Sequence, residues 1–263
     1  MRYINDWIVK ENNRIHDRYI LLKLTLDKEI PEMLPGQFVQ VRVDDSPSTF
    51  LRRPISIHFI DKQANELWLL IQMVGAGTHR LVKLRNGDLI NMVYPLGNGF
   101  TLPEDIFSSS DKNKKLLLIG GGVGVAPLLH LGAHLFSSAF NPMFLLGARS
   151  PADLLQIDEF RKYGTVYLST EDGACGEKGF VTNHSVLESV DFDYIYICGP
   201  KPMMVASVKY ARQHSIPGEV SLENVMACGI GVCLCCVEKT IYGNIRMCTE
   251  GPILNINTLS WQI

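Results

Sequence analysis

The first hundred residues alternate short apolar runs with turn-forming polar clusters. Apolar stretches at 19–26, 38–43, 55–60 and 67–74 have the length and side-chain content of strands. Between them lie Pro35-Gly36, the segments 44–47 and 61–65, and Asn86-Gly87-Asp88, whose Pro, Gly, Asn and Asp residues favour turns. Many short strands at this spacing predict a small closed antiparallel barrel or a sandwich, with one short helix at 79–84. A polar stretch at 108–115 then breaks the rhythm. Beyond it, strand patterns at 115–119, 143–146, 166–169 and 194–198 alternate with helical ones at 126–136, 153–163, 181–189 and 201–214. That alternation predicts a parallel α/β sheet. From Gly218 onward the chain is rich in cysteine and turns. The expected organisation is a β-barrel plus α/β: a barrel domain over 1–102, an α/β domain over 103–217 and a cysteine segment over 218–263.

Composition narrows the possibilities only modestly. Of 263 residues, 46% are apolar and 20% charged, and the formal net charge is −2, as in ordinary soluble domains. No apolar run reaches the length of a membrane span, and no long basic run suggests nucleic acid, so neither a membrane nor nucleic acid is expected as a partner. The first ten residues include Asp6 and lack an apolar core, so no export signal is expected and the predicted location is cytoplasmic. In a reducing compartment the seven cysteines do not read as a disulfide framework.

Five of those cysteines crowd into positions 228–248, which reads as metal binding. Cys228, Cys233 and Cys236 have the C-x4-C-x2-C spacing of plant-type [2Fe–2S] proteins, and Cys248 supplies a fourth thiolate from further along. Gly229 and Gly231 would let the backbone approach inorganic sulfide closely. A structural zinc site is the rival reading, because four cysteines also make a Zn(Cys)4 centre, although only one C-x2-C pair lies in this register. Cys235 is left over, and a register that uses it instead stays open.

Two further patterns point to nucleotides. Gly120-Gly121-Gly122-Val-Gly124 follows an apolar strand and leads into a helical pattern. There glycines permit a tight turn and close approach of a pyrophosphate to backbone amides. Pro127 stands where a last glycine would be, as a first helical turn tolerates. Cys198-Gly199-Pro200 ends the last strand of the same half, where open α/β sheets bind ligands. The usual acidic ribose-binding residue is not evident, and the second strand ends near Arg149, so NAD and NADP both remain open. In the barrel half, Arg53-Pro54-Ile55-Ser56 offers a guanidinium for a pyrophosphate and a hydroxyl for a ring atom. Gly75-Ala-Gly77-Thr78 would add turn amides and a hydroxyl. Together these suggest a flavin dinucleotide.

Arg53-Pro-Ile-Ser56, Gly75-x-Gly77-Thr78, Gly120-Gly-Gly-x-Gly-x-Ala-Pro127 and Cys198-Gly-Pro resemble the ferredoxin–NADP reductase superfamily. Ser221-Leu-Glu-Asn-Val-Met-Ala-Cys-Gly-Ile-Gly-Val-Cys233 extends the resemblance to the electron-transfer subunits of type B dihydroorotate dehydrogenases, over nearly the whole chain. Pro95-Leu-Gly-Asn-Gly-Phe100 and Gly179-Phe-Val-Thr182 also fit. The resemblance implies FAD on Arg53, Pro54, Ile55 and Ser56, on the strand with Ile71, Gln72 and Met73, and on Gly77 and Thr78. Where family members carry an aromatic-plus-basic pair, this chain has Ile71 and Gln72. It implies NAD(H) near Gly120, Gly121, Gly122, Gly124, Cys198 and Gly199, and the [2Fe–2S] cluster on Cys228, Cys233, Cys236 and Cys248. It implies a two-electron exchange between NAD(H) and FAD, one-electron passage through the cluster, and a role in pyrimidine biosynthesis. The partner would be an FMN-containing catalytic dihydroorotate dehydrogenase subunit, two copies of each forming a heterotetramer. Nothing in this chain resembles a dihydroorotate site or a catalytic residue for that oxidation. Two other readings stay open: a reductase subunit of a sulfhydrogenase or glutamate synthase-like complex, and a redox sensor whose cluster controls a binding surface.

Overall fold

The computed structural model describes residues 1–108 and 111–261; Ser109 and Ser110, inside the polar stretch expected to separate the domains, lie outside the described residues. The amino-terminal part contains β1 (Tyr3–His16), β2 (Tyr19–Thr25), β3 (Phe38–Val41), β4 (Arg53–Ser56), β5 (Phe59–Asp61), β6 (Glu66–Gln72), α1 (Ala76–Leu81) and β7 (Leu89–Leu96). Its strands form one antiparallel sheet in the order β4-β3-β7-β1-β2-β6-β5. The outermost strands, β4 and β5, are joined only by Ile57 and His58. Ile57 N–H donates to Gln37 O at 3.0 Å and His58 N–H to Trp68 O at 2.9 Å, so the chain bridges the two edges and rolls the sheet into a barrel. Trp7, Leu22, Leu69, Met92 and Tyr94 fill its interior.

β1 and β7 are absent from the pattern-based expectation. β1 shows only Trp7 and Val9 as fully buried and breaks register twice, between Val9 and Glu11 and between Arg14 and His16. A polar strand with bulges carries no clean period of two. α1 begins at Ala76, so Gly77 and Thr78 lie inside the helix rather than in a turn before it.

The second part contains α2 (Pro103–Ile106), β8 (Leu116–Gly121), α3 (Ala126–Ser137), β9 (Met143–Ala148), α4 (Ile157–Arg161), β10 (Thr165–Thr170), β11 (Glu177–Lys178), α5 (Val186–Ser189), β12 (Tyr194–Cys198) and α6 (Lys201–Gln213). β13 (Gly218–Ser221), the hairpin of β14 (Val237–Thr240) and β15 (Gly243–Arg246), and β16 (Ile253–Asn255) follow. The sheet order is β11-β10-β9-β8-β12-β13-β16, parallel throughout except for the β13–β16 pair. The cysteine tail therefore lends two strands to the α/β sheet. Two expected helices are shorter than their patterns. Gln156, with φ +56°, delays α4 until Ile157, and 181–189 splits into a tight turn and α5.

Both faces of this sheet are covered, as parallel sheets require. Leu116 and Leu118 face a core with α3, whereas Leu117 and Ile119 face one with α6. The α6 core continues through Met226, Cys236, Met247 and Cys248 of the tail to Phe38 and Leu96 of the barrel. Barrel, α/β sheet and tail thus share buried surface. Among the described residues no helix is long and apolar enough to cross a membrane.

Candidate functional site

The strand β8 delivers its glycines to a tight turn. Gly122 has φ +55°, and α3 starts only at Ala126, after a short 3-10 turn, with Pro127 in its first turn. A Cβ on Gly124 would lie 2.4 Å from Gly199 Cα, so the glycine turn and the Cys198-Gly199 turn touch backbone to backbone. The two motifs, 74 residues apart (124 to 198) in the sequence, are one structural unit.

Beside this unit opens a cavity of about 750 Å³. Gly121 to Gly124, Gly199 and Pro200 form one wall, and Arg18, Tyr19 and Gln72 of the barrel form another. Tyr19 and Gln72 are direct partners across β2 and β6. The size and the bare backbone suit a dinucleotide. Arg149, Asp153 and Glu171 also line the cavity. There Arg18 donates to Asp153 Oδ1, and Arg149 Nε lies 3.7 Å from Asp153 Oδ2, so one carboxylate holds two guanidiniums. Glu223 lines the cavity too, and desolvation raises its carboxyl above the usual range. The neighbouring Cys198 thiol is pushed up by burial first and then by the Glu223 charge, so it stays protonated at neutral pH. Glu223 belongs to the tail motif that runs into Cys228, whereas Arg18, Tyr19 and Asp153 carry no local motif. Cross-strand pairing and loop return bring them here, and neither has a sequence signal.

On the barrel, the two adjacent arginines separate in role. Arg52 donates to Gln40 O, Asn91 O and Asn91 Oδ1 at 3.2, 3.1 and 2.5 Å. Arg53 is half-buried and its side chain makes no hydrogen bond or ion pair among the described residues, which leaves the guanidinium available for a pyrophosphate. A Cβ on Gly77 would sit 3.0 Å from Arg53 Nε, so α1 approaches that guanidinium closely. The Thr78 hydroxyl accepts from Val74 and Gly75 N–H at 2.9 and 3.2 Å and donates to Gly75 O at 3.1 Å. Its capacity is spent on shaping the turn rather than on a phosphate. Strand alternation also divides the residues at the end of β6 and just beyond it. Ile71 and Met73 point into the barrel core, which leaves only their backbone for a flavin, whereas Gln72 faces the cavity. Pro54 pairs with Gln40 and Ser56 with Phe38, so these four lie on one face of the β3–β4 pair.

That face is where the cysteine loop packs. Gly229 and Gly231 have φ +70° and +88°, which folds the loop back on itself. N–H groups of Ile230, Val232 and Cys233 all donate to Cys228 Sγ, at 3.4, 3.4 and 3.5 Å. Burial pushes this thiol up, but the backbone donors outweigh it and bring it down to about 6, a site made for a thiolate. Cys236 and Cys248 are buried, and Cys248 N–H donates to Cys236 Sγ at 3.4 Å. Cys233 and Cys235 are exposed. Arg246 ties the loop to the hairpin by bonding Gly231 O at 3.4 Å and Glu250 at 2.9 Å. Asn98 of the barrel accepts from Ile253 N–H at 3.0 Å and donates to Ile253 O at 2.9 Å, fixing the end of the tail. Among the described residues no three His, Cys, Asp or Glu side chains close around a single metal ion. Four thiols, with backbone N–H donors gathered on Cys228 and one on Cys236, are the donor set an iron–sulfur cluster takes.

Residues 223–260 match the family described as the iron–sulfur cluster binding domain of dihydroorotate dehydrogenase B, and residues 118–209 match the oxidoreductase NAD-binding domain. Of the two metal readings, the iron–sulfur one is supported. The chain is 38% identical over 256 residues to the dihydroorotate dehydrogenase B (NAD(+)) electron transfer subunit of Shouchella clausii, covering 95% of each chain. It is also 38% identical to the corresponding subunit of Fusobacterium nucleatum, over 95% of this chain and 96% of that one. Among solved structures it is similar to an NADH-dependent reduced ferredoxin-NADP oxidoreductase studied for flavin-based electron bifurcation. The TM-score is 0.85 at 27% identity, over 97% of this chain and 90% of that one. An Amycolatopsis cytochrome P450 reductase shares the fold, with a TM-score of 0.67 at 24% identity over 81% of this chain and 67% of that one. By its cysteine loop, its paired glycine turns and these relatives, the chain belongs to the family of dihydroorotate dehydrogenase B (NAD(+)) electron transfer subunits.

Proposed function

We propose that this chain carries electrons from a dihydroorotate-oxidising partner subunit to NAD+, through a [2Fe–2S] cluster and an FAD of its own. The relatives' shared name favours this partner over a sulfhydrogenase or glutamate synthase-like complex. In this reading residues 1–102 hold FAD, 103–217 hold NAD(H) and 218–263 hold the cluster. When bound, these groups supply the electron chemistry, exchanging two electrons with nicotinamide and single electrons with iron.

The chain's own residues bind and orient. Arg53 and the α1 turn would hold a pyrophosphate, while Pro54, Ile55 and Ser56, with the backbone at Ile71, Gln72 and Met73, would align a flavin ring. Gly120, Gly121, Gly122 and Gly124, with Cys198 and Gly199, seat the dinucleotide. Cys228, Cys233, Cys236 and Cys248 ligate iron. The observation that carries the proposal is the meeting of these parts. The cavity wall at Tyr19 and Gln72 belongs to the barrel whose β3–β4 face receives the cysteine loop. The partner is an FMN-containing subunit, and the complex is a cytoplasmic heterotetramer with two of each. Val225, Val232 and Leu234, exposed beside the cysteines, provide an apolar surface for docking it.

The test is reconstitution with the dihydroorotate-oxidising subunit. Dihydroorotate-dependent reduction of NAD+ is expected of the complex and not of this chain alone. A complex with all cofactors in place and no such activity would sink the proposal.

A further inference from the structure

β3 has an irregular chemistry for a buried strand. Val39 and Val41 point into the barrel, and Phe38 points out into the core built around Met226, Cys236, Met247 and Cys248. Gln40 points out as well, and it is 0% exposed. Neither its amide oxygen nor its amide nitrogen has a hydrogen-bond partner among the described residues. Burying an unpaired amide is costly, so a strand that retains one has a reason for it.

The surroundings of that amide identify its partner. A Cβ on Gly229 would lie 2.7 Å from Gln40 Cγ and 2.7 Å from Nε2, so the amide rests against the residue that follows Cys228. Gly229 has φ +70° and admits this approach only because it lacks a side chain. The Cys228 sulfur beside it already gathers three backbone N–H donors. The missing partner therefore sits in a place built to concentrate donors on sulfur. Thiolate and sulfide accept hydrogen bonds and donate none, so the amide nitrogen must be the end that faces them.

We propose that Gln40 Nε2–H donates to the sulfur framework of the [2Fe–2S] cluster at the Cys228–Gly229 turn and raises its reduction potential. The inference rests on the functional reading above. Reduction adds one negative charge to the cluster. A donor stabilises the more negative state more strongly, so each N–H···S bond moves the potential upward. The residue also lies between the two redox sites. It pairs with Pro54, two residues from Ser56, so the competing recipient is a flavin atom.

Gln40→Met keeps length and volume and removes the donor. Gln40→Glu keeps the shape and replaces the donor with an acceptor that carries charge. Both are read on the full chain, loaded with FAD and cluster, by anaerobic redox titration. Electron paramagnetic resonance follows the cluster, and visible absorbance follows the flavin. The expected result is a reduced-cluster signal of wild-type intensity in Gln40→Met with a lower cluster potential and an unmoved flavin potential. Gln40→Glu should lower the cluster potential at least as far. Should Gln40→Met fail to retain the cluster, Gln40→Glu decides alone. A full signal at the wild-type cluster potential overturns the inference, and so does a shift of the flavin potential without one of the cluster. A wild-type chain that shows no reduced-cluster signal overturns the functional reading as well, which distinguishes the two failures.

Discussion

Cys235 and Cys236 are adjacent in sequence and opposite in environment. Cys236 is buried and its sulfur accepts from Cys248 N–H, whereas Cys235 is exposed. Cys236→Ala should therefore abolish the visible absorbance of the cluster, and Cys235→Ala should spare it. The reverse outcome would place the ligand register one residue earlier. Asp153 supports a second expectation at this scale. Its carboxylate occupies both Arg18 and Arg149, two guanidiniums of the cavity lining that a ribose 2′-phosphate would otherwise draw on. Asp153→Asn should tighten binding of NADPH by about tenfold and leave NADH close to wild type, because one charge-assisted contact is worth about 1.5 kcal/mol. Calorimetric titration with the two nucleotides checks it, and an unchanged ratio would assign the preference elsewhere. The cysteines and glycines were legible in the sequence because their spacing is local. Asp153, Tyr19 and Arg18 were not, since each reaches the site through tertiary pairing rather than through a motif.

Among the elements, the seam between the barrel and α3 is the most chemically loaded. His58, in the β4–β5 connection, is fully buried, and its Nδ1 meets Ala126 O at 2.8 Å, so that nitrogen carries the proton. Its Nε2 has no partner among the described residues. Burial holds the imidazole down to about 4, against opposing pulls from the Ala126 carbonyl and, after it, the Glu159 charge. His130, on α3, is held down to about 3 by burial, and the charges of His134, Lys62 and His58 act in the same direction. The unfolded chain titrates near 6.5 and the folded one lower, so between those values the unfolded state binds more protons. The stability from this seam is complete above pH 6.5 and declines as pH falls toward 4. His58 alone should cost about 2 kcal/mol at pH 5 relative to pH 7.5. Denaturant unfolding at the two pH values measures it, and His58→Leu should flatten that limb. A slope unchanged in the variant would assign the loss to other groups. The α/β alternation and the barrel class were readable from apolar periods. β1 was not, because its polar, bulged sequence has no period, and α4 was shortened by a left-handed turn at Gln156 that no apolar pattern encodes.

At the scale of the whole molecule, the barrel, the sheet and the tail are bound into one continuous path. The core beneath α6 runs from the sheet through Cys236 and Cys248 to Phe38 of the barrel. Asn98 clamps the end of the tail to the barrel, and β13 and β16 anchor both ends of the cysteine loop in the sheet. Such mutual anchoring fixes the cofactor sites relative to one another, which a relay needs and a free-standing sensor does not. The decisive measurement uses the full chain with FAD and cluster, mixed anaerobically with NADH and followed by absorbance and electron paramagnetic resonance together. Bleaching of the flavin accompanied by growth of a reduced [2Fe–2S] signal is the predicted result. Flavin bleaching over a cluster that stays oxidised would contradict the relay.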